Sequence, residues 1–281
     1  MTRSVAETLP RPPWSTAQAV RRWTAGLRRL PDFLVIGAQR AGTTSLAQAL
    51  GLHPEVWMAP GKEIHYFDLQ FERGERWYRS HFPLRAAGRH RAVGEATPYY
   101  LFHPTSAERA GALLPHARLV CLLRDPVERA WSHFNHERQS GHEPLEDFEA
   151  ALDAEDERIA DTSPEAHPGV TDIRRAHQWF SYAGRGDYAQ QLAVWLRHFP
   201  REQLLVESSE DLFTDPTGVL ARVAEHLGLE RPLPSNLPHA NRGSTRAMPE
   251  AARDRLQERY ADESRALSEL LGRSFDWPWS T

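Results

Sequence analysis

In two places along the chain a short run of apolar residues is followed by a segment whose apolar residues have helical spacing. Residues 33–36 are apolar throughout and lead into a glycine-containing turn, after which residues 43–52 carry apolar side chains at helical spacing. Residues 119–123 form a second apolar run, and Asp125 and Pro126 follow it as a helix start, with a buried face marked by residues 127–134. The pattern predicts two successive strand–loop–helix units.

Strands that are apolar on both faces and alternate with helices indicate a parallel sheet covered on both sides. Shorter strands are predicted at residues 92–94 and 203–207, and C-terminal helices at residues 216–227 and 249–271. We expect the acidic segment 141–167 to form an exposed helix and loop that covers the site. The prediction is one α/β domain over residues 31–281. A loosely held arm, residues 1–30, precedes it, with a short surface helix within residues 16–30.

Composition narrows the class of protein and its location. The net charge of −4 argues against a nucleic-acid-binding protein that relies on a general basic field. No run of eighteen apolar residues occurs, and residues 1–30 lack the apolar core of a signal peptide, so we expect no transmembrane segment. Cys121 is the single cysteine and allows no intrachain disulfide, which fits a cytoplasmic protein. The sequence does not indicate an oligomeric state.

A candidate anion-binding loop, GAQRAGTTS at residues 37–45, follows the first predicted strand and opens a predicted helix. Backbone N–H groups and the helix dipole bind anions in this context. The loop resembles a P-loop, but Thr43 stands at the position of the Walker lysine and the nearest cation is Arg40. A nucleoside triphosphatase is therefore disfavoured. Taken alone, the loop fits an ordinary strand-to-helix turn equally well.

A second candidate site is LLRDPVERAWS at residues 122–132, which places Arg124 at the end of a strand and Ser132 two turns into the next helix. Ligands of open parallel sheets bind at this edge. Arg124 and Ser132 are therefore candidates to bind a second phosphate, with Asp125 capping the helix. The alternative is a structural arginine paired with Asp125 or Glu128.

Two phosphate sites on neighbouring strands suit a nucleotide that is phosphorylated at both ends of its ribose. In this order the motifs resemble those of sulfotransferases that use 3′-phosphoadenosine-5′-phosphosulfate (PAPS): the Arg40 loop resembles the 5′-phosphosulfate loop, and Arg124 with Ser132 resembles the 3′-phosphate motif. The resemblance is closest to the heparan sulfate sulfotransferase branch and its bacterial relatives, over residues 32–278. Further matching segments are LHPEV at 52–56, KEIHYFD at 62–68, WY at 77–78, EATP at 95–98, EDL at 210–212 and GRSFDW at 272–277.

This resemblance implies a P-loop-like three-layer α/β fold, in which a central parallel sheet is flanked by helices. It also implies transfer of a sulfonate from PAPS to a hydroxyl or amine, with adenosine 3′,5′-bisphosphate (PAP) as product and no metal ion. Glu63 is the implied general base, and the chemistry agrees because an attacking hydroxyl must lose its proton. Arg40 would stabilise charge on the leaving phosphate oxygen. The implied donor contacts are Arg40, Ala41, Gly42, Thr43, Thr44, Ser45, Arg124, Ser132, Arg242 and Arg246.

The acceptor side carries further candidates. His65, a candidate catalytic residue, and Asp68 match family positions that hold or orient the acceptor, although a histidine in an aromatic stretch is often a packed core residue. Ala96 stands where the heparan sulfate enzymes carry lysine. Lys62 is the candidate replacement and a candidate substrate contact; the alternative is a solvated surface lysine.

Three functions remain open from the sequence. The first is sulfonate transfer to a glycan, a glycolipid or a secondary metabolite. The second is a P-loop small-molecule kinase, which would need the missing Walker lysine and a carboxylate that binds magnesium. The third is a non-catalytic nucleotide- or carbohydrate-binding protein on the same fold.

Overall fold

A five-stranded, entirely parallel sheet forms the centre of the protein. The computed structural model describes residues 16–88, 90–160, 171–237 and 247–279. The strands are β1 Phe33–Gly37, β2 Val56–Met58, β3 Ala92–Ala96, β4 Arg118–Leu123 and β5 Leu204–Ser208, in the spatial order β2-β3-β1-β4-β5. The predicted parallel sheet is confirmed. The edge strand β2 was not predicted, because three residues are too few to show a period.

Helices flank the sheet, as predicted. Within the described residues they are α1 Thr16–Trp23, α2 Thr43–Leu52, α3 Glu75–Arg79, α4 Ser106–Leu113, α5 Pro126–Gln139, α6 Phe148–Asp153, α7 Glu155–Ala160, α8 Thr171–Phe180, α9 Tyr188–Leu196, α10 Ser209–Thr214, α11 Pro216–Leu227 and α12 Glu250–Leu271. Short 3₁₀ turns lie at residues 25–27, 71–73, 98–101, 184–186 and 201–203. None of the helices described is long and apolar enough to cross a membrane.

The core explains why the central strands are apolar. Every residue of β1 and β3 is buried, and in β4 only Arg118 at the first position is exposed. A second group of buried side chains lies outside the sheet between α5, α6 and α12, and includes Val127, Phe134, Phe148 and Tyr260. Burial of the apolar residues of α5 against α6 and α12 holds this helix, which carries Ser132, against the body of the domain.

In the described part of the acidic segment, residues 141–160, the predicted loop and helix are present and most acidic side chains are exposed, but two are buried. Two helices form there, and the acidic residues Glu143 and Glu155 are buried. Glu143 accepts from the Tyr182 hydroxyl at 2.7 Å, while Glu155 accepts from the Ala183 and Gly184 N–H groups at 2.7 and 2.9 Å. Buried carboxylates are tolerated when donors satisfy them, and these donors are remote in sequence.

The chain between α1 and β1 packs against the region around α3. Arg28 is buried, and its Nη1 donates to the Phe82 carbonyl at 2.7 Å. The predicted short helix within residues 16–30 is α1. Its side chains at residues 19 and 20 are exposed, as a surface helix requires.

Candidate active site

The loop between β1 and α2 has a tightly folded backbone. Arg40 has a φ of 69° and Gly42 a φ of 87°, a left-handed conformation that residues other than glycine adopt rarely. A side chain at position 42 would also meet the Phe213 ring at 3.3 Å. Thr43 and Ser45 are buried in the first turn of α2, and the Ala41 N–H donates within the loop to the Ala38 carbonyl at 3.2 Å. Loops of this kind bind anions at a helix N-terminus.

The two predicted phosphate sites meet at the carboxyl ends of β1 and β4. Arg40 Nε donates to Ser132 Oγ at 3.0 Å, and Arg124 Nη1 lies 3.3 Å from the Arg40 carbonyl oxygen. Burial lowers the pKa of Arg40, and the neighbouring charge of Arg124 lowers it further. The positive charges of Arg40 and Arg124 repel each other, so an anion bound near both would be stabilising.

The carboxylates next to Arg124 have other partners. Asp125 caps α5 by accepting from the Val127 N–H at 2.9 Å and also accepts from Trp279 Nε1 at 3.1 Å. Glu128 pairs with Arg253 at 2.8 Å. Among the described residues no ion pair joins Arg124 to a carboxylate. The alternative of a structural arginine paired with Asp125 or Glu128 does not hold.

Glu63, His65 and Asp68 form a line of charge beside the loop. His65 Nε2 lies 3.3 Å from Glu63 Oε2, and His65 Nδ1 lies 2.8 Å from Asp68 Oδ2. Both ring nitrogens face carboxylate oxygens, which accept only, so both must carry protons. His65 has a left-handed backbone with φ 56°, and the Asp68 side chain is fully buried.

The electrostatics of this line favour the charged forms of His65 and Glu63. Burial by itself lowers the pKa of His65, but Asp68 and Glu63 overcome this and raise it to about 10. For Glu63 burial acts to raise the pKa, and the opposing effects of His65, Lys62 and Arg185 leave it below its usual range. Glu63 is therefore ionised at neutral pH and able to accept a proton.

A buried polar cluster around Glu95 contacts the backbone of His65. Glu95 accepts from the hydroxyls of Tyr78 at 2.7 Å and Tyr100 at 2.9 Å, and from Thr97 Oγ1 at 2.7 Å. Thr97 Oγ1 in turn lies 3.5 Å from the His65 N–H. Burial raises the pKa of Glu95 to about 7 even though all three donors lower it. The EATP segment thus supports the loop that carries His65.

Lys62 points into the anion-binding loop. Its Nζ donates to Thr44 Oγ1 at 2.8 Å and to Thr43 Oγ1 at 3.2 Å, and lies 3.6 Å from Glu63 Oε1. Lys62 is thus an exposed residue whose ammonium group nevertheless contacts the loop. A cavity of about 200 Å³ is lined in part by Lys62 and Ala96.

Sequence reasoning missed one charged residue at this site. Arg185 is 3 % exposed, and its Nη1 donates to Gln39 Oε1 in the anion-binding loop at 2.6 Å. It lies in a 3₁₀ turn, where no periodicity marks it, and its partner is remote in sequence. Two predicted donor contacts, Arg242 and Arg246, lie outside the described residues.

Comparison with known proteins agrees with this geometry. The family profile described as "Sulfotransferase domain" matches residues 30–273. Heparan sulfate glucosamine 3-O-sulfotransferase 3B1 of Mus musculus is 31% identical over 277 residues, covering 90% of this chain and 66% of the relative. Heparan sulfate glucosamine 3-O-sulfotransferase 6 of Homo sapiens is 32% identical over 276 residues, covering 90% of this chain and 75% of the relative. A crystal structure of a sulfotransferase from Alicyclobacillus acidocaldarius has a TM-score of 0.74 at 28% identity, covering 90% of this chain and all of that one.

The chain belongs to the sulfotransferase family. The structural similarity confirms the predicted α/β fold with a central parallel sheet. Family membership sets aside the small-molecule kinase. The chain spans about two thirds of the length of the mouse relative named above.

Proposed function

We propose that the protein transfers a sulfonate group from PAPS to a hydroxyl or amine of an acceptor. The observation that carries this proposal is the meeting of Arg40, Arg124 and Ser132 at one sheet edge, with Glu63 next to the same loop through Lys62. The 3′-phosphate would bind Arg124 and Ser132, and the phosphosulfate would bind the Arg40 loop. Residues 31–281 act as one sulfotransferase domain in this proposal.

The proposed reaction needs one proton transfer and one displacement at sulfur. The acceptor oxygen or nitrogen forms a bond to sulfur, its proton passes to Glu63, and the bond between sulfur and the bridging phosphate oxygen breaks, which releases PAP. Charge that builds on the leaving oxygen is stabilised by Arg40, Lys62 and the loop N–H groups. His65 keeps Glu63 ionised and aligned, and Asp68 fixes His65. Each of these groups comes from the chain itself, so we expect no metal requirement.

Glycans are the first acceptor class to examine. The relatives named above are glucosamine 3-O-sulfotransferases, and this chain has the Glu63–His65–Asp68 line beside its loop. Ala96 and the cavity beside it change the acceptor side relative to the heparan sulfate enzymes, so a glycolipid or a secondary metabolite belongs in the same screen. The single cysteine, Cys121, is buried, which supports a cytoplasmic location. The third function, binding without catalysis, predicts nucleotide affinity with no product.

The donor assignment is tested by removing the proposed 3′-phosphate contact. Arg124→Ala should weaken PAP binding roughly ten- to a hundredfold, because a charge-assisted hydrogen bond contributes about 1.5–3 kcal/mol. AMP lacks the 3′-phosphate and should bind wild type and variant with equal, weak affinity. Calorimetry on the four pairs isolates the arginine–phosphate interaction.

Circular dichroism and thermal unfolding of the variant provide the folding control. Equal losses for PAP and AMP would mean that Arg124 supports the local structure rather than the 3′-phosphate, and would remove the basis for PAPS as the donor.

A further inference from the structure

Arg185 is a buried cation with no paired carboxylate among the described residues. Its Nη1 donates to Gln39 Oε1 at 2.6 Å and its Nη2 donates to the Gln178 carbonyl at 2.7 Å. The guanidinium carbon lies 4.7 Å from the centre of the Tyr99 ring. Burial lowers the pKa of Arg185 to about 10, so it stays charged at neutral pH. Burying a charge without a counter-ion is costly, which points to a role outside stability.

The contact with Arg185 fixes the orientation of the Gln39 amide. A guanidinium has only donors, so the atom that faces it at 2.6 Å must be the amide oxygen and not the nitrogen. The Nε2 group then lies away from Arg185 with two N–H donors, and no group within the described residues accepts from it. Gln39 is half-buried and directly precedes Arg40 in the loop.

Gln39 is linked through Arg185 to the acceptor side of the loop, and the turn that carries Arg185 also packs on α5. Arg185 itself packs on Tyr99, which lies in the 3₁₀ turn after β3, and the ring of Tyr99 is 6.4 Å from that of His65. The proposed 3′-phosphate contacts follow β4, on the other side of β1. With Glu63 as the proposed base beside His65, the part of PAPS on this side of the loop would be the sulfonate.

We propose that Gln39 Nε2 donates a hydrogen bond to a sulfonate oxygen of the donor, and that Arg185 is the positioning residue that holds this amide. The inference rests on the proposed donor. A hydrogen-bond donor that is held in place before PAPS binds stabilises charge without reorganisation during transfer. Arg185 also adds positive potential near the sulfonate, since its charge acts on Glu63.

A binding comparison tests the contact without turnover. Calorimetry without acceptor should show that Gln39→Leu weakens PAPS binding about tenfold while PAP, which lacks the sulfonate, binds as to wild type. Gln203→Leu is the matched control, because its amide donates to the Ala117 carbonyl at the opposite end of the sheet. Equal effects of Gln39→Leu on PAPS and PAP, or no effect on either, would overturn the contact.

A double-mutant cycle tests the positioning role. Arg185→Met should reduce the preference for PAPS over PAP in the wild-type background and cause no further reduction when Gln39 is already leucine. Additive effects would show that Arg185 acts through the fold alone. If Arg185→Met fails to fold, the PAPS and PAP affinities of Gln39→Leu still decide whether Gln39 contacts the sulfonate. Wild type that binds neither nucleotide would refute the donor proposal instead.

Discussion

At the scale of single residues, the imidazolium of His65 between Glu63 and Asp68 decides the chemistry of the base. It keeps the Glu63 carboxylate ionised and oriented, at the cost of lowering its proton affinity. Catalytic bases work best with a pKa near the working pH, so Glu63 as the proposed base would be a weaker base that is always ionised at neutral pH.

This arrangement predicts the pH dependence of His65→Asn. Removing the imidazolium takes away a donor and a positive charge, so the pKa of Glu63 should rise. The acid limb of kcat/KM reports ionisation of the free enzyme and should therefore move to higher pH in the variant. The measurement is a pH–rate profile of both proteins with PAPS and any acceptor that supports turnover.

His226→Asn is the control for this profile, because His226 contacts the Leu119 carbonyl at the other end of the sheet. An acid limb that stays in place in His65→Asn, or moves to lower pH, would contradict the assignment of Glu63 as the group that must be ionised.

At the scale of elements, the start of α5 links the fold to the donor site. Asp125 caps the helix and also accepts from Trp279 near the end of the described chain. Ser132 and Arg124 are both placed by this helix start: Arg124 directly precedes the cap, and Ser132 lies two turns beyond it. The chain builds a second Asp–Pro helix start at α11, where Asp215 caps through the Gly218 N–H at 3.0 Å.

The paired caps allow a controlled prediction. Asp125→Ala and Asp215→Ala should each destabilise the protein by about 1 kcal/mol through loss of a cap, with a further loss for Asp125→Ala because Trp279 Nε1 loses its partner. Only Asp125→Ala should also weaken PAP binding, since only α5 carries a donor contact. Denaturant unfolding and PAP calorimetry on both variants measure these effects. Equal PAP affinity in the two variants would separate α5 from the donor site.

Local signals explain which elements were predictable. Adjacent residues alone determine the Asp–Pro starts of α5 and α11 and the apolar runs of β1 and β4. The structure has these elements close to the predicted positions. Contacts between residues that are far apart in the sequence could not be predicted from it. Arg185 meets Gln39 from far along the chain, and Glu143 is buried because Tyr182 reaches it. The acidic pattern at residues 141–160 predicted solvent exposure for the whole segment. The burial of Glu143 could not be predicted, because its donor is remote in sequence.

At the scale of the whole molecule, the strand order divides the site. β1 lies at the centre, β4 and β5 lie on one side of it, and β3 and β2 lie on the other. Arg124 follows β4, and Glu95 and Tyr99 lie in or after β3. In the proposed function the loop after β1 would therefore lie between the nucleotide and the acceptor, at the carboxyl edge of the sheet where ligands of such sheets bind.

The most direct test follows labelled sulfur from donor to acceptor. Wild type, Glu63→Gln and the surface control Glu75→Gln are incubated with sulfur-labelled PAPS and with separate glycan, lipid and small-molecule fractions of a cell extract. Wild type and Glu75→Gln should label a product in one fraction. Glu63→Gln should lower the rate about 10²-fold or more while binding PAP as tightly as wild type, because a general base contributes on this scale. Wild type that binds PAP but labels nothing, or Glu63→Gln that labels at the wild-type rate, would contradict sulfonate transfer by this site.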